Sequence, residues 1–343
     1  IEGVDIVAGN DQKAEIADFI ENWYNNQEKQ VEITPLKDLR RFIPSCSRGD
    51  RTRYFLKVQD GCNYYCSYCT IPRARGRSRS GKIGSLVEQA AEAARHGGKE
   101  IVITGVNIGD FGNDTGEHFI ELLRQLDKVE GIERYRISSL EPDLLTEEVI
   151  DFVAHSQKFM PHFHIPLQSG SDEMLKLMRS HYNRRLFADK VNEIKRRMPD
   201  AFIGVDLITG MRGETPEIFE DSRAFIESLD ITRLHVFSYS ERPDTMALKI
   251  PYVVPASTKH SRTRRMMALS DKKLASFTAR YLGTTRKVLL EHAVDADGLM
   301  KGFTDNYLRV AVPAINDLAN CIVDVRLIEP LGHDDLIKGE IIR

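Results

Sequence analysis

Lys57-Val58-Gln59-Asp60-Gly61-Cys62-Asn63-Tyr64-Tyr65-Cys66-Ser67-Tyr68-Cys69-Thr70 is the most informative stretch of this 343-residue chain. Three of the five cysteines, Cys62, Cys66 and Cys69, share it at C-x3-C-x2-C spacing. A small, odd number of cysteines argues against a disulfide framework and for a reducing, cytoplasmic setting. The cysteines follow directly on residues 54–58, an apolar run of strand length.

Outward from that run, strands and helices alternate as far as about residue 244. Candidate strands are 54–58, 100–104, 134–138, 162–166, 202–208 and 233–237. Helix starts are signalled by Ser85 with Glu88 as a capping box and by Thr146 before Glu147 and Glu148. Thr215-Pro216 adds an N-cap followed by proline at N1, and Ser171-Asp172-Glu173 places negative charge at a helix start. Six such units predict an α/β fold, a partial (β/α)6 barrel with its chemistry at the C-terminal strand ends. The cysteines stand at one such end.

Residues 1–28 read as a strand and helix belonging to a preceding domain, and 29–52, with Pro35 and Pro44, as a linker. The first residue is Ile, so the chain's true start is expected upstream. The barrel is expected over 53–256 and a basic connecting helix over 257–280. From 281 to 343 the period is two, which predicts a small antiparallel β-barrel. Cys321 there reads as a small core residue.

A composition of 41% hydrophobic and 29% charged residues is that of a globular protein. No window approaches the ~20 apolar residues of a membrane helix, so no membrane partner is expected. The net charge of -3 hides two basic runs. Arg73, Arg75, Arg77, Arg79 and Lys82 occur with no acid among them, and residues 257–287 hold nine Lys or Arg against Asp271. Two such runs point to a phosphate backbone. Because 288–343 is acidic, RNA contact is expected from the basic helix, from the loop 301–309, or from Phe303 and Tyr307.

Three thiolates on one loop can ligate three irons of a cubane and leave the fourth iron open. An open position is the mark of a catalytic metal centre. The bland alternative is a structural zinc in a non-catalytic RNA-binding protein. It needs a fourth ligand, and neither Cys46 nor Cys321 is well placed to supply one.

The cysteine spacing, with an aromatic before the last cysteine, resembles that of the radical S-adenosylmethionine (SAM) enzymes. The string Gln59 to Ser80 resembles their methylthiotransferase branch, as do Thr104-Gly105-Val106-Asn107, Ser138-Ser139-Leu140-Glu141-Pro142, Pro166-Leu167-Gln168-Ser169-Gly170-Ser171 and Met178-Arg179-Ser180-His181-Tyr182. The likeness is greatest to the members that add a methylthio group to C2 of N6-threonylcarbamoyladenosine at tRNA position 37. Siblings act on isopentenyl-adenosine in tRNA or on a ribosomal-protein aspartate. Arg73 departs from the family, where an aromatic is common.

The resemblance implies a [4Fe-4S] cluster on Cys62, Cys66 and Cys69, the catalytic and metal-binding set. SAM chelates its open iron and is cleaved to a 5′-deoxyadenosyl radical. SAM contacts fall on Tyr68, Thr104, Gly105, Asn107, Ser139, Glu141, Gln168, Ser169 and Arg179. Arg73, Arg75, Arg77 and Arg79 become contacts to the tRNA anticodon stem-loop. A second cluster in an N-terminal domain outside this chain, a flavodoxin-type one-electron reductant and a monomeric state are also expected. The terminal barrel is similar to a TRAM domain, an RNA-binding module.

Overall fold

The computed structural model describes residues 2–47, 52–295, 297–332 and 335–342. Its centre is a curved parallel sheet of β1 (Arg53–Lys57), β2 (Glu100–Thr104), β3 (Arg134–Ile137), β4 (His162–His164), β5 (Phe202–Thr209) and β6 (Arg233–Ser238). β1, β2 and β3 pair in parallel, as do β4, β5 and β6. Parallel bridges from Tyr135 to Phe159 and from Ser139 to His164 join the halves. The sheet does not close, and the fold is a partial (β/α)6 barrel. All four residues of β3 are buried, as expected of a parallel strand covered on both faces.

Helices α1 (Ile83–Arg95), α2 (Phe119–Asp127), α3 (Glu147–His155), α4 (Asp172–Met178), α5 (Arg184–Arg197) and α6 (Pro216–Ser228) cover the sheet. The Thr146 and Thr215 hydroxyls accept from the Val149 and Ile218 amides at 3.2 and 3.4 Å. Ser85 does not cap α1. The helix starts before it, because the Glu117 carboxylate, from a distant loop, accepts the Ile83 N–H at 3.1 Å. Such a cap leaves no local signal in the sequence.

One expectation about the N-terminal region needs correction. Residues 29–47 are not a plain linker: Gln30–Glu32 pairs in parallel with Ile6–Ala8 around the helix Ile16–Asn26, and Ser45–Cys46 pairs antiparallel with β1. Residues 48–51 of the expected linker lie outside the described residues. The helix Ile16–Asn26 buries no residue, which leaves Ile16, Ile20 and Tyr24 exposed.

The basic helix α7 (Ala256–Ala279) packs along β6 and leads into β7 (Thr285–Val294), β8 (Leu299–Thr304), β9 (Arg309–Pro313), β10 (Ile322–Pro330) and β11 (Leu336–Ile341). These close a five-stranded barrel in the order β7-β8-β9-β11-β10. It is not wholly antiparallel, since β9 and β11 pair in parallel. Val288, Leu290, Val310, Val312, Val325 and Leu327 fill it. Cys321 precedes β10, half-buried, with its thiol 3.8 Å from the Asp317 carbonyl; it is not a core residue.

The small barrel seals the N-terminal ends of the parallel strands. Arg136 is 1% exposed; its guanidinium pairs with Glu100 at 3.0 Å and donates to the Thr304 and Asp305 carbonyls at 2.7 and 2.9 Å. Arg134 donates to the Phe303 and Lys287 carbonyls. Burial, followed by the neighbouring Arg136 charge, pushes Arg134 down to about 10. Tyr307 packs between Phe303 and His162 and beneath Arg136. Phe303 and Tyr307 are therefore interface residues and not exposed RNA contacts.

Arg136→Ala strands the buried Glu100 carboxylate and is expected to cost about 3–5 kcal/mol. Arg124→Ala, which breaks an exposed pair with Glu148, is expected to cost less than about 1 kcal/mol. Urea midpoints measure both, and equal shifts contradict the assignment.

Candidate active site

The cysteine loop leaves the C-terminal end of β1 and is fixed by two buried polar side chains. The Gln59 side-chain carbonyl accepts the Val106 and Asn107 N–H groups at 3.0 and 2.8 Å. Its amide donates to the Gly61 carbonyl and the Ser78 hydroxyl, each at 2.8 Å. Asp60 binds Lys57 at 2.7 Å, Arg75 at 3.1 Å and Arg79 at 3.3 Å, and accepts the Gly61 N–H at 2.8 Å. Burial alone would raise its pKa. The Lys57 ammonium, the Gly61 N–H and Arg79 outweigh burial and hold the carboxyl below its ordinary value.

Gly61 has φ +72, and a Cβ there would sit 2.1 Å from the Arg77 carbonyl oxygen. Only glycine admits this turn. The far side of the loop is pinned as Ser67 donates from its hydroxyl to Leu177 and from its N–H to Met178. Tyr68 packs into the cluster of Met174, Met178, Met211 and Tyr239.

The three cysteines are half-buried. The Tyr64 and Ile71 amides each point at a sulfur, on Cys62 and Cys69, at 3.4 Å, and Asn107 Nδ2 lies 3.9 Å from the Cys62 sulfur. Burial raises all three thiols, with Glu141 adding to each; Cys66 is pushed up to about 12. A metal must displace these protons to bind.

Around them stand residues from successive strand ends. Thr104 ends β2, and its hydroxyl donates to the Leu56 carbonyl at 3.2 Å. At Gly105 a Cβ would meet Ile108 at 2.6 Å. Among the described residues the buried Asn107 Oδ1 atom has no hydrogen-bond partner. Ser139 bridges to His164, and Glu141 follows in the same loop. Gln168 adopts φ +62 and bridges to Leu207; Ser169 is buried, its hydroxyl accepting the Ser171 N–H. Arg179, at the C-terminus of α4, is exposed with φ +59.

This donor set suits a cationic occupant. Glu141 is pushed up to about 8 by burial, then by Asp143 and Asp206. No group of three or more His, Cys, Asp and Glu side chains among the described residues is arranged to hold a single metal ion. Cys46 pairs with Leu56 inside the sheet, and Cys321 is in the other barrel. The three thiols of the loop fit a cubane, which takes each thiolate on a separate iron, and the unpartnered Asn107 oxygen is free to accept from a ligand ammonium.

Comparison with known proteins agrees with that geometry. Residues 56–226 match the family model described as the Radical SAM superfamily. A threonylcarbamoyladenosine tRNA methylthiotransferase of Bacillus subtilis is 36% identical over 338 residues, covering 96% of this chain and 74% of the relative. Its Aquifex aeolicus counterpart is 36% identical over 310 residues, 90% of this chain and 74% of the relative. A tRNA-2-methylthio-N(6)-dimethylallyladenosine synthase of Clostridium tetani is 33% identical over 334 residues, 96% of this chain and 71% of the relative. The chain belongs to the radical SAM methylthiotransferase family.

For a radical SAM methylthiotransferase the basic runs carry less free charge than the sequence suggests. Arg79 is 4% exposed and donates to Asp60 and to the Arg41 and Arg75 carbonyls. It braces the cluster loop and cannot reach RNA. Arg75 also binds Asp60, whereas Arg73 and Arg77 are exposed. On α7, Arg262 pairs with buried Glu214, Arg265 with Glu220, and Lys272 with Glu227. Much of the basic helix is thus neutralised by α6 and the loop before it. Sequence reasoning overlooked Gln59 as an anchor and Asp143, which accepts the Tyr64 hydroxyl. Asp206 likewise enters the site only in the structure, 2.8 Å from His164 Nε2. None of these lies in a recognisable spacing.

Glu141 binds its proton more tightly in the folded than in the unfolded chain, so its ionisation opposes folding. In cofactor-free protein stability should fall as pH rises from about 5 to 8. Glu141→Gln should flatten that fall in Tm; an unchanged slope contradicts the account.

Proposed function

We propose that the chain carries the radical-forming part of an enzyme that adds a methylthio group to C2 of N6-threonylcarbamoyladenosine beside the tRNA anticodon. The observation that carries this reading is the half-buried trio Cys62, Cys66 and Cys69 at the end of β1, in a chain matched over 96% of its length by a relative of that name. Identity of 36% to that relative against 33% to the dimethylallyl-acting one favours the threonylcarbamoyl substrate.

When bound, a [4Fe-4S] cluster and SAM supply one-electron cleavage of the sulfonium and a carbon radical that takes hydrogen from the substrate. Cys62, Cys66 and Cys69 hold the cluster, and the Gln59 and Asp60 networks keep their loop from moving. The bare backbone of Gly105 admits the methionyl part, with Thr104 and Asn107 beside it. Ser139 and Glu141 meet the ribose hydroxyls. Gln168, Ser169 and Arg179 close the rim, and Tyr68 supports the adenine from the methionine-rich side.

Arg73 and Arg77 meet the phosphates of the anticodon stem-loop. The small barrel, at the opposite end of the strands, acts as a TRAM-type module that grips RNA away from the modified base. Only Cys46 and Cys321 remain in this sequence, so a second, sulfur-supplying cluster belongs to residues outside it. A flavodoxin-type donor provides the electron, and the enzyme works in the cytoplasm as a monomer.

Nucleoside mass spectrometry of tRNA from a deletion strain is expected to lose the methylthio mark from threonylcarbamoyladenosine alone. Loss from isopentenyl-adenosine instead overturns the substrate assignment. Arg77→Ala should weaken tRNA binding and lower the salt slope by about one, while Arg79→Ala should act through stability. A salt slope unchanged by Arg77→Ala counts against the phosphate contact.

A further inference from the structure

Between the first two cysteines lies an aromatic arrangement that the chemistry above does not use. The ring of Tyr64 lies flat on that of His181, with 3.9 Å between centroids and 3° between planes. Its hydroxyl donates to Asp143 at 2.5 Å. The tyrosine is thus held by a stack on one side and by a carboxylate at its tip. His181 is exposed, and Tyr64 covers one face of its imidazole.

The neighbouring residue, Tyr65, is 53% exposed and has φ +52. A left-handed backbone at a bulky aromatic residue costs on the order of 1 kcal/mol and persists where the surroundings impose it. Arg179, two residues before His181, is also left-handed and exposed. The mouth of the cluster site therefore presents two solvent-facing rings and a cation, Tyr65 on the loop that Gln59 and Asp60 anchor and His181 and Arg179 on the turn after α4.

Proteins read unpaired RNA bases by stacking them on aromatic rings, histidine among them. A base that is to react must also leave its neighbours and forfeit their stacking. We propose that the outer face of His181, backed by Tyr64 and flanked by Tyr65, is a preassembled platform on which an unpaired nucleobase of the RNA substrate stacks. The inference rests on the tRNA reading above and names the part of the chain that replaces the lost base stacking. Because the Tyr64–His181 pair is formed before RNA arrives, stacking orders no further side chain.

The test uses cluster-loaded protein and an anticodon stem-loop RNA, with affinity read by fluorescence anisotropy. Iron content and RNA-independent formation of 5′-deoxyadenosine are measured on the same samples. His181→Ala is expected to weaken RNA binding roughly tenfold, the scale of one lost base stack. His181→Phe should restore affinity, and Tyr65→Ala should weaken it less. Iron content and RNA-free SAM cleavage should match wild type in all three. Wild-type affinity in His181→Ala overturns the platform while the tRNA reading stands, as does a loss that only parallels a loss of iron. Failure of the unmutated protein to bind the stem-loop overturns the tRNA reading itself.

Discussion

Everything at the catalytic end depends on two buried side chains, Gln59 and Asp60, that tie a short loop to the end of β1. Apart from Tyr68, which packs against the methionines beside it, a loop carrying three sulfurs buries little apolar surface, and packing alone does not hold it. Its order comes from polar groups placed where water does not compete for them. The Gln59 amide bonds toward Gly61, Ser78 and the two backbone amides after β2. Asp60 collects Lys57, Arg75 and Arg79. Inside a protein such bonds are stronger than in water, and leaving one unmade is correspondingly costly.

The same economy of charge operates at the other end of the strands. Arg134 and Arg136 point out of β3 into the small barrel and satisfy four of its backbone carbonyls. Two buried guanidiniums and one buried carboxylate make poor stabilisers taken singly. Together they fix the orientation in which the barrels meet. Chemistry and docking are separated along one axis: thiols at the C-terminal strand ends, and the small barrel at the N-terminal ends. α7 joins the barrels along the outside, with Arg265 and Lys272 paired to α6 and Arg262 to Glu214 in the loop before it.

The barrel was legible because its signals are local. Apolar runs fell within a residue or two of every strand, and Thr146 and Thr215 announced their helices. The cysteine spacing and the glycine before it marked the cluster loop for the same reason. What escaped the sequence depends on partners far away in the chain. Glu117 caps α1 in place of Ser85, Asp60 takes Arg79 out of the RNA-facing set, and Phe303 and Tyr307 disappear into a contact with β3 and β4. A charge run or an exposed-looking aromatic carries no record of whether the fold supplies it a partner. The parallel pair β9–β11 was hidden similarly, since alternation reveals a strand but not its direction.

Electron paramagnetic resonance of the reduced, cluster-loaded protein, recorded with and without SAM, addresses the central claim most directly. Three thiolate ligands leave one iron open, so SAM should shift the [4Fe-4S] signal, and replacing Cys66 by Ala should abolish it. A signal indifferent to SAM, or a colourless protein retaining one zinc per chain, would contradict the account.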